Sequence, residues 1–303
     1  MRPTPTGWPR ISAGIYYPEP AKAIDWLCGA FGFEIQLKVE GEGGRIEHSE
    51  LVSSGGLIMV AGEGREPHAM HRKAPASVGG ANTQNMFMYV GDVEAHCARA
   101  RAAGATITSE PKVSDYGADH WADKGYACLD LGGHHWWFAQ RLHDSPRYTP
   151  RLDSALLGPN PPPRGWPRIS SSLCYPDARA AIDWLCAAFG FELQIKVEGA
   201  AGRVEHSELV FGGGLVMVSD EAHVRERGVH RASPVSLGGA NTQNLMVFVD
   251  DARAHCERAR GAGATITMEP KVSDYGEDYW SDLCYEVQDP GGHRWWFTQR
   301  LRG

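Results

Sequence analysis

The sequence predicts an α+β fold: four β-α-β-β-β modules, two in each half of the chain, with each half closing its two modules into one curved, cup-shaped sheet. Three observations carry that prediction. First, the 303 residues are a tandem duplication. GWPRIS at Gly7–Ser12 recurs at Gly165–Ser170, IDWLC at Ile24–Cys28 recurs at Ile182–Cys186, and EHSEL at Glu47–Leu51 recurs at Glu205–Leu209. The repeat distance is 158 at GWPRIS (165 − 7) and 159 (238 − 79) at GGANTQN, Gly79–Asn85 and Gly238–Asn244, so one residue was gained in the loop between. Such self-similarity decides the architecture before any local reading does. Second, each repeat divides again into two halves of like pattern. Third, the length suits two domains of roughly 150 residues.

In the first half-repeat, Ile11–Tyr17 reads as a strand. Pro18 to about Phe31 reads as a helix, with prolines near its start, where a missing N–H is harmless, and Gly32 past its end. Strands follow near Glu34–Glu40, Arg45–Ser53 and Gly56–Ala61, joined by Gly-rich turns. The second half-repeat opens with the strand Asn85–Val90. Asp92 is the N-cap of a helix over Val93–Ala103, and Gly104 its stop. Strands near Thr106–Lys112, Gly125–Asp130 and His135–Gln140 complete it. A helix beside each group of strands covers one sheet face and leaves the other to curve. The domains run over residues 1–142 and 164–303. Between them, 143–163 holds six prolines, Pro146, Pro150, Pro159, Pro161, Pro162 and Pro163, and reads as a semi-rigid linker.

Composition removes several classes. With 42% hydrophobic and 22% charged residues, each domain can bury a core without a disulfide or metal staple. A net charge of −7 (30 − 37) argues against nucleic acid, which requires a basic face. The apolar runs Gly56–Val60 and Gly214–Val218 are too short to span a membrane. Seven cysteines with no CxxC indicate neither a disulfide framework nor a zinc knuckle. The first ten residues hold no apolar stretch of a secretory signal, so a cytoplasmic location is expected.

Three motifs recur in order in both repeats: YPxxxxAIDWLxxAFGFE from Tyr17 and Tyr175, GRxEHSELxxxGGLxMV from Gly44 and Gly202, and DxGGHxWWF from Asp130 and Asp289. Together they resemble the vicinal oxygen chelate superfamily, which includes glyoxalase I, fosfomycin- and bleomycin-resistance proteins and extradiol dioxygenases. The closer resemblance is to its PhnB-like branch. It implies tandem glyoxalase-like domains. Metal-dependent members hold a divalent ion with side chains from four strands. Those positions fall at Ser12, at or near Glu50, at Asn85 and at Trp137, and in the second repeat at Ser170, Glu208, Asn244 and Trp296. One of the four is a good ligand, whereas a catalytic metal takes about three. Neither a metal site nor another cofactor is expected.

Strand alternation sorts the remaining candidates. With Glu50 facing the cup, so does His48; the same holds for His206 and Glu208. With Trp137 and Trp296 inward, Trp136, Phe138, Trp295 and Phe297 lie in the core. The first cup then collects Ser12, Tyr16, His48, Glu50, Asn85, Phe87, Tyr89 and Trp137 from one repeat. The second collects Ser170, Cys174, His206, Glu208, Asn244, Met246, Phe248 and Trp296. Trp137 and Trp296 either fill the space of the absent metal or stack on a flat ligand. Each His–Glu pair is either a structural hydrogen bond or an acid/base dyad. His134 and His293 read as structural turn residues. His71 and His230 read as loop surface or as grips on an anion. Trp121 and Trp280, in DYGxDxWxD and its copy, either clamp a loop to the sheet or form a lid.

Two functions fit. The chain either sequesters an aromatic or cationic small molecule, as bleomycin-resistance-type members do, or is an enzyme of this fold. That enzyme would be a metal-free isomerase, lyase or hydrolase working through His48/Glu50 and His206/Glu208, or a metal enzyme of glyoxalase or dioxygenase type. A small-molecule partner is expected, with no nucleic acid and no membrane. The chain is expected to be a monomer whose repeats form an internal pseudo-dimer, each with its own cup, or a homodimer.

Overall fold

The computed structural model describes residues 1–117, 120–144, 162–163, 165–226 and 230–303, with the backbone alone for Arg225 and Glu226. Nearly all of the expected linker lies outside the described residues. The first module comprises β1 (Ile11–Tyr17), α1 (Pro20–Phe31), β2 (Glu34–Glu40), β3 (Ile46–Ser53) and β4 (Gly56–Gly62). The second comprises β5 (Gln84–Tyr89), α2 (Val93–Ala102), β6 (Thr106–Asp115), β7 (Ala122–Leu129) and β8 (His135–His143). The second repeat continues with β9 (Ile169–Tyr175), α3 (Ala178–Phe189), β10 (Glu192–Glu198), β11 (Val204–Phe211) and β12 (Gly214–Asp220). It ends with α4 (Glu221–Glu226), β13 (Gln243–Phe248), α5 (Ala252–Gly261), β14 (Thr265–Asp274), β15 (Ser281–Gln288) and β16 (Arg294–Arg302). No helix among the described residues is long and apolar enough to cross a membrane.

Local chemistry explains the elements. Helix α1 starts with Pro20 in its first turn, two residues later than expected, and stops at Gly32, whose φ of 77° suits a residue without Cβ. Its buried Ala23, Ile24, Leu27, Ala30 and Phe31 form one stripe against the sheet. Asp92 caps α2 by accepting from the backbone N–H groups of Glu94 and Ala95. Strands β6 and β7 run further than the sequence reading gave them. They continue as one long hairpin to Asp115 and Ala122, so DYGxDxWxD is a hairpin tip rather than a free loop. The short helix α4 was not expected.

The strands form two eight-stranded sheets, ordered β14-β15-β16-β13-β1-β4-β3-β2 and β10-β11-β12-β9-β5-β8-β7-β6. The α+β class and the modular cups hold, but the expectation that each repeat owns a cup does not. Strand β1 pairs antiparallel with β13, Ser12 opposite Met246 and Gly14 opposite Asn244. Strand β5 pairs with β9, Asn85 opposite Ser172 and Phe87 opposite Ser170. Each sheet therefore joins one module from each repeat. The loops between modules cross over, with bridges Arg72–Asn241 and Asn82–Arg231. At the crossing, Thr83 and Thr242 each donate their backbone N–H to the other's hydroxyl, both at 3.0 Å. This exchange is the intrachain form of a domain swap.

The core lies between helices and sheets. Trp136, Phe138, Trp295 and Phe297 are fully buried there, as alternation required. The Gly-Gly-His turns tie the sheets together. Asp130 accepts from the Tyr17 hydroxyl (2.5 Å), the Trp136 indole (2.9 Å) and the His134 backbone N–H (2.9 Å). His134 donates from Nε2 to the Tyr16 carbonyl at 2.8 Å, and His293 to the Cys174 carbonyl at 3.1 Å. Cys97 and Cys256 are buried, and Cys28 and Cys186 pack half-buried against the core.

Candidate functional site

The exchange of modules redistributes the candidate residues. The first cup, β1–β4 with β13–β16, joins Ser12, Tyr16, His48 and Glu50 to Asn244, Met246, Phe248 and Trp296. The second, β9–β12 with β5–β8, joins Ser170, Cys174, His206 and Glu208 to Asn85, Phe87, Tyr89 and Trp137. The single-repeat groupings are thus corrected, although the side of each strand was read rightly for Asn85, Phe87, Trp137 and His206. These four share the lining of one cavity of ≈ 830 Å³ over the second sheet.

That cavity has an aromatic wall and a polar rim. Phe87 and Trp137 lie opposite one another on β5 and β8 and are both partly exposed. Ala127 and Gly125 on β7 leave room over the indole. A Cβ at Gly125 would stand 3.0 Å from the Trp137 Nε1, so a larger residue there would press on the ring. The rim carries His206, Arg231, Lys112 and His230, with Glu205 and Asp123 on its acidic side. Arg231 is only 5% exposed and donates to the hydroxyls of Ser172 (2.8 Å) and Ser219 (2.6 Å). Asp123 is bound by Arg141 at 2.7 Å, and burial nevertheless raises its carboxyl above the usual range.

The two His–Glu pairs are built alike. Glu50 is buried and accepts from Gln36 (2.8 Å), while His48 Nε2 stands 2.9 Å from its other oxygen. Glu208 accepts from Gln194 at 3.1 Å and faces His206 Nε2 at 3.2 Å. The imidazoles are more than a third exposed and the carboxylates almost fully covered. Glu208 does not line the cavity; it presents His206 to it.

Several expected contact residues are elsewhere. Ser12 and Ser170 are 2% and 3% exposed, and Ser170 does not reach the cavity. Phe248 is buried beneath Trp8 and the Arg300 guanidinium, each 5.7 Å from its ring. Tyr16 is buried under Arg72. Trp121 does not line the cavity either. It packs on Tyr116 at 5.3 Å and under Arg141 at 5.5 Å, and Trp280 repeats this with Tyr275 at 5.3 Å and Arg300 at 5.2 Å. Tyr116, not Trp121, reaches the cavity. His71 is buried rather than superficial, its side chain 9% exposed.

Sequence reasoning missed Trp166 and Arg231. Trp166 is buried and packs on Phe87 (5.6 Å), which walls the cavity, and on Tyr89 (5.7 Å). Its signal was present, as the Trp of the repeated GWPRIS. Arg231 could have been found as the basic residue following His in both crossing loops.

The residues at the four metal positions do not fit a divalent ion. With its amide oriented to satisfy both neighbours, Asn244 donates to the Gly14 carbonyl at 3.1 Å and accepts from the Trp296 indole at 3.2 Å. An amide and an indole that serve each other, a buried serine and a carboxylate already holding Gln36 and His48 leave no set of three donors. Among the described residues, no three His, Cys, Asp or Glu side chains converge as a metal site.

Burial lowers six of the described histidines toward the neutral form, among them His134 and His293, both fully buried. His96 and His255, which link the two helices over each half of the core, are lowered to about 4, chiefly by burial. His135 and His71 are also lowered to about 4, by burial first and then by Arg231 beside His135 and by Arg294 and Arg72 beside His71. A folded pKa below the unfolded 6.5 means that the unfolded chain takes up protons first. Stability is complete above pH 6.5 and falls as pH drops toward about 4. Raised Asp123 and Asp282 act in the opposite sense. Urea denaturation at pH 7.5 and pH 5 should show a loss of roughly 1–2 kcal/mol per buried histidine. Equal stability at the two values would contradict neutral burial.

Comparison with known proteins bears on the fold. A model of the Glyoxalase/Bleomycin resistance protein/Dioxygenase superfamily matches residues 11–138 and again 168–297. Glyoxalase I from Zea mays is similar in structure, with a TM-score of 0.64 at 13% identity over 95% of this chain and 91% of that one. A putative dioxygenase from Bacillus subtilis gives a TM-score of 0.53 at 13% identity, covering 97% of this chain and 84% of that one. At such identities the likeness is one of fold. The uncharacterized protein Mb0911c of Mycobacterium bovis is 33% identical over 136 residues, 45% of this chain and 85% of its own length.

Proposed function

The chain belongs to the Glyoxalase/Bleomycin resistance protein/Dioxygenase superfamily, and on that premise we propose that it is a small-molecule-binding protein whose second cup takes a flat, aromatic ligand. The observation that carries this reading is the ≈ 830 Å³ cavity walled by Phe87 and Trp137, with His206, Asn85 and Arg231 at its polar side. Concave, largely apolar sites with a few convergent polar groups suit small-molecule recognition. A cationic group on the ligand is not required, because Glu208 is covered and its partners are already in place. The fold's metal chemistry is not part of this reading, because the donor set does not suit an ion.

One observation favours a second reading, catalysis without a metal. The Glu208 carboxylate orients an exposed imidazole at the edge of the same cavity. A carboxylate-held imidazole can move a proton on a bound substrate. Titration with the fluorescent aromatic 8-anilinonaphthalene-1-sulfonate tests the binding role, with native mass spectrometry of copurified molecules beside it. One saturable probe site per chain, displaced by a retained molecule, is the expected result. Unsaturable binding, unaffected by anything retained, would contradict it. Glu208→Gln separates the two readings: it leaves a binder's affinity intact and removes an enzyme's turnover of the retained molecule.

A further inference from the structure

We propose that the first cup is a binding site of different specificity, for a small monoanionic carboxylate that also bears a hydroxyl or amino group, held by Arg72, Arg294 and Glu286. It lies in the other cup from the aromatic-ligand site and does not depend on that reading.

The module exchange makes the two cups directly comparable. Arg72 is the counterpart of Arg231, and Gly14 and Ala61 are the counterparts of Ser172 and Ser219. In the second cup, those two hydroxyls tie down the guanidinium. Glycine and alanine offer no hydroxyl in the first, and Arg72 lies instead over the Tyr16 ring, 5.7 Å from its centre. Two further changes fall on the same face. Arg294 stands where the second cup has His135, and Glu286 where it has Ala127.

Glu286 is 7% exposed and sits opposite Trp296, so it points into the cup. One oxygen accepts from Thr267 at 2.7 Å and lies 3.4 Å from Arg294. The other has no hydrogen-bond partner among the described residues; His71 Nε2 is 3.8 Å away. The Nε groups of Arg72 and Arg294 and the Nε2 of His71 are likewise buried without a partner there. Only Arg294 pairs with Glu286, while Arg72 lies over the Tyr16 ring that all three charges face, and His71 adds no charge above pH 6 because burial and both arginines hold it near 4.

A buried surplus of positive charge with orphan donors is costly until an anion meets it. Guanidinium suits a carboxylate, which accepts two parallel hydrogen bonds. The orphan Glu286 oxygen needs a donor from the same ligand, which a hydroxyl or amino group supplies and a simple carboxylate lacks. Its charge also repels a dianion such as phosphate.

Calorimetric titration of the full chain with glycolate, acetate and inorganic phosphate tests the proposal. Glycolate should bind once per chain, about tenfold tighter than acetate, the loss of a hydrogen bond to a charged group being worth about that factor, with phosphate weaker than either. Arg294→His, which installs the second cup's residue, should weaken glycolate and acetate alike by about tenfold or more. Glu286→Ala should abolish the preference for glycolate over acetate, and Trp137→Ala should change neither. No glycolate binding at millimolar concentration, binding unchanged in both first-cup variants, or binding lost in Trp137→Ala would each overturn it. Because both substitutions copy residues that the second cup already tolerates, a folded variant with unaltered binding is decisive.

Discussion

Trp137→Ala is expected to weaken binding of 8-anilinonaphthalene-1-sulfonate by roughly 5–150-fold, and Trp296→Ala to leave it within about twofold. The estimate follows from aromatic stacking worth about 1–3 kcal/mol per ring face in comparable sites. Both tryptophans are partly exposed and occupy equivalent positions, so the difference comes from their surroundings. Trp137 faces a cavity beside Gly125 and Ala127. Trp296 stands beside Glu286 and gives its indole N–H to Asn244. Equal effects of the two substitutions would mean that the cups do the same work.

Separating the repeats should have a larger effect. Residues 1–142 alone contain β1, which pairs with β13, and β5, which pairs with β9. An isolated first repeat therefore leaves β1 and β5 as unpaired apolar edges, and such edges seek partners. The expected product is a homodimer in which β1 of one copy pairs with β5 of the other, or an aggregate. Light scattering coupled to size exclusion distinguishes them. A well-folded monomer of residues 1–142 would contradict the exchanged pairing.

The modules were legible because each depends on local chemistry. Asp92 caps its helix, Gly32 ends another, and alternation along GGHxWWF places Trp136 and Phe138 inside and Trp137 outward. The exchange was not legible, because the crossing segment is the same in both repeats. ANTQN occurs at Ala81–Asn85 and Ala240–Asn244, and the strand residues that follow are apolar in both repeats, Met86–Met88 and Leu245–Val247, so β1 meets a like strand whether it pairs within its repeat or across. Side-chain facing was also legible, but cover was not. Ser170 and Phe248 lie on the expected strands, yet Phe248 is covered by Trp8, 240 residues away in sequence (248 − 8). Arg72 and Arg231, one at each cup, sit in loops whose paths depend on the crossing.

The central claim is that one cup is built from both repeats and holds a flat ligand. A double-mutant cycle on probe binding tests it most directly, using Trp137→Ala with His206→Ala and, in parallel, Trp137→Ala with His48→Ala. Groups that meet the same bound molecule couple, and distant ones add. The composite cup predicts coupling of about 0.5 kcal/mol or more between Trp137 and His206, and additivity between Trp137 and His48. Coupling to His48 with additivity toward His206 would return the site to a single repeat and contradict the account.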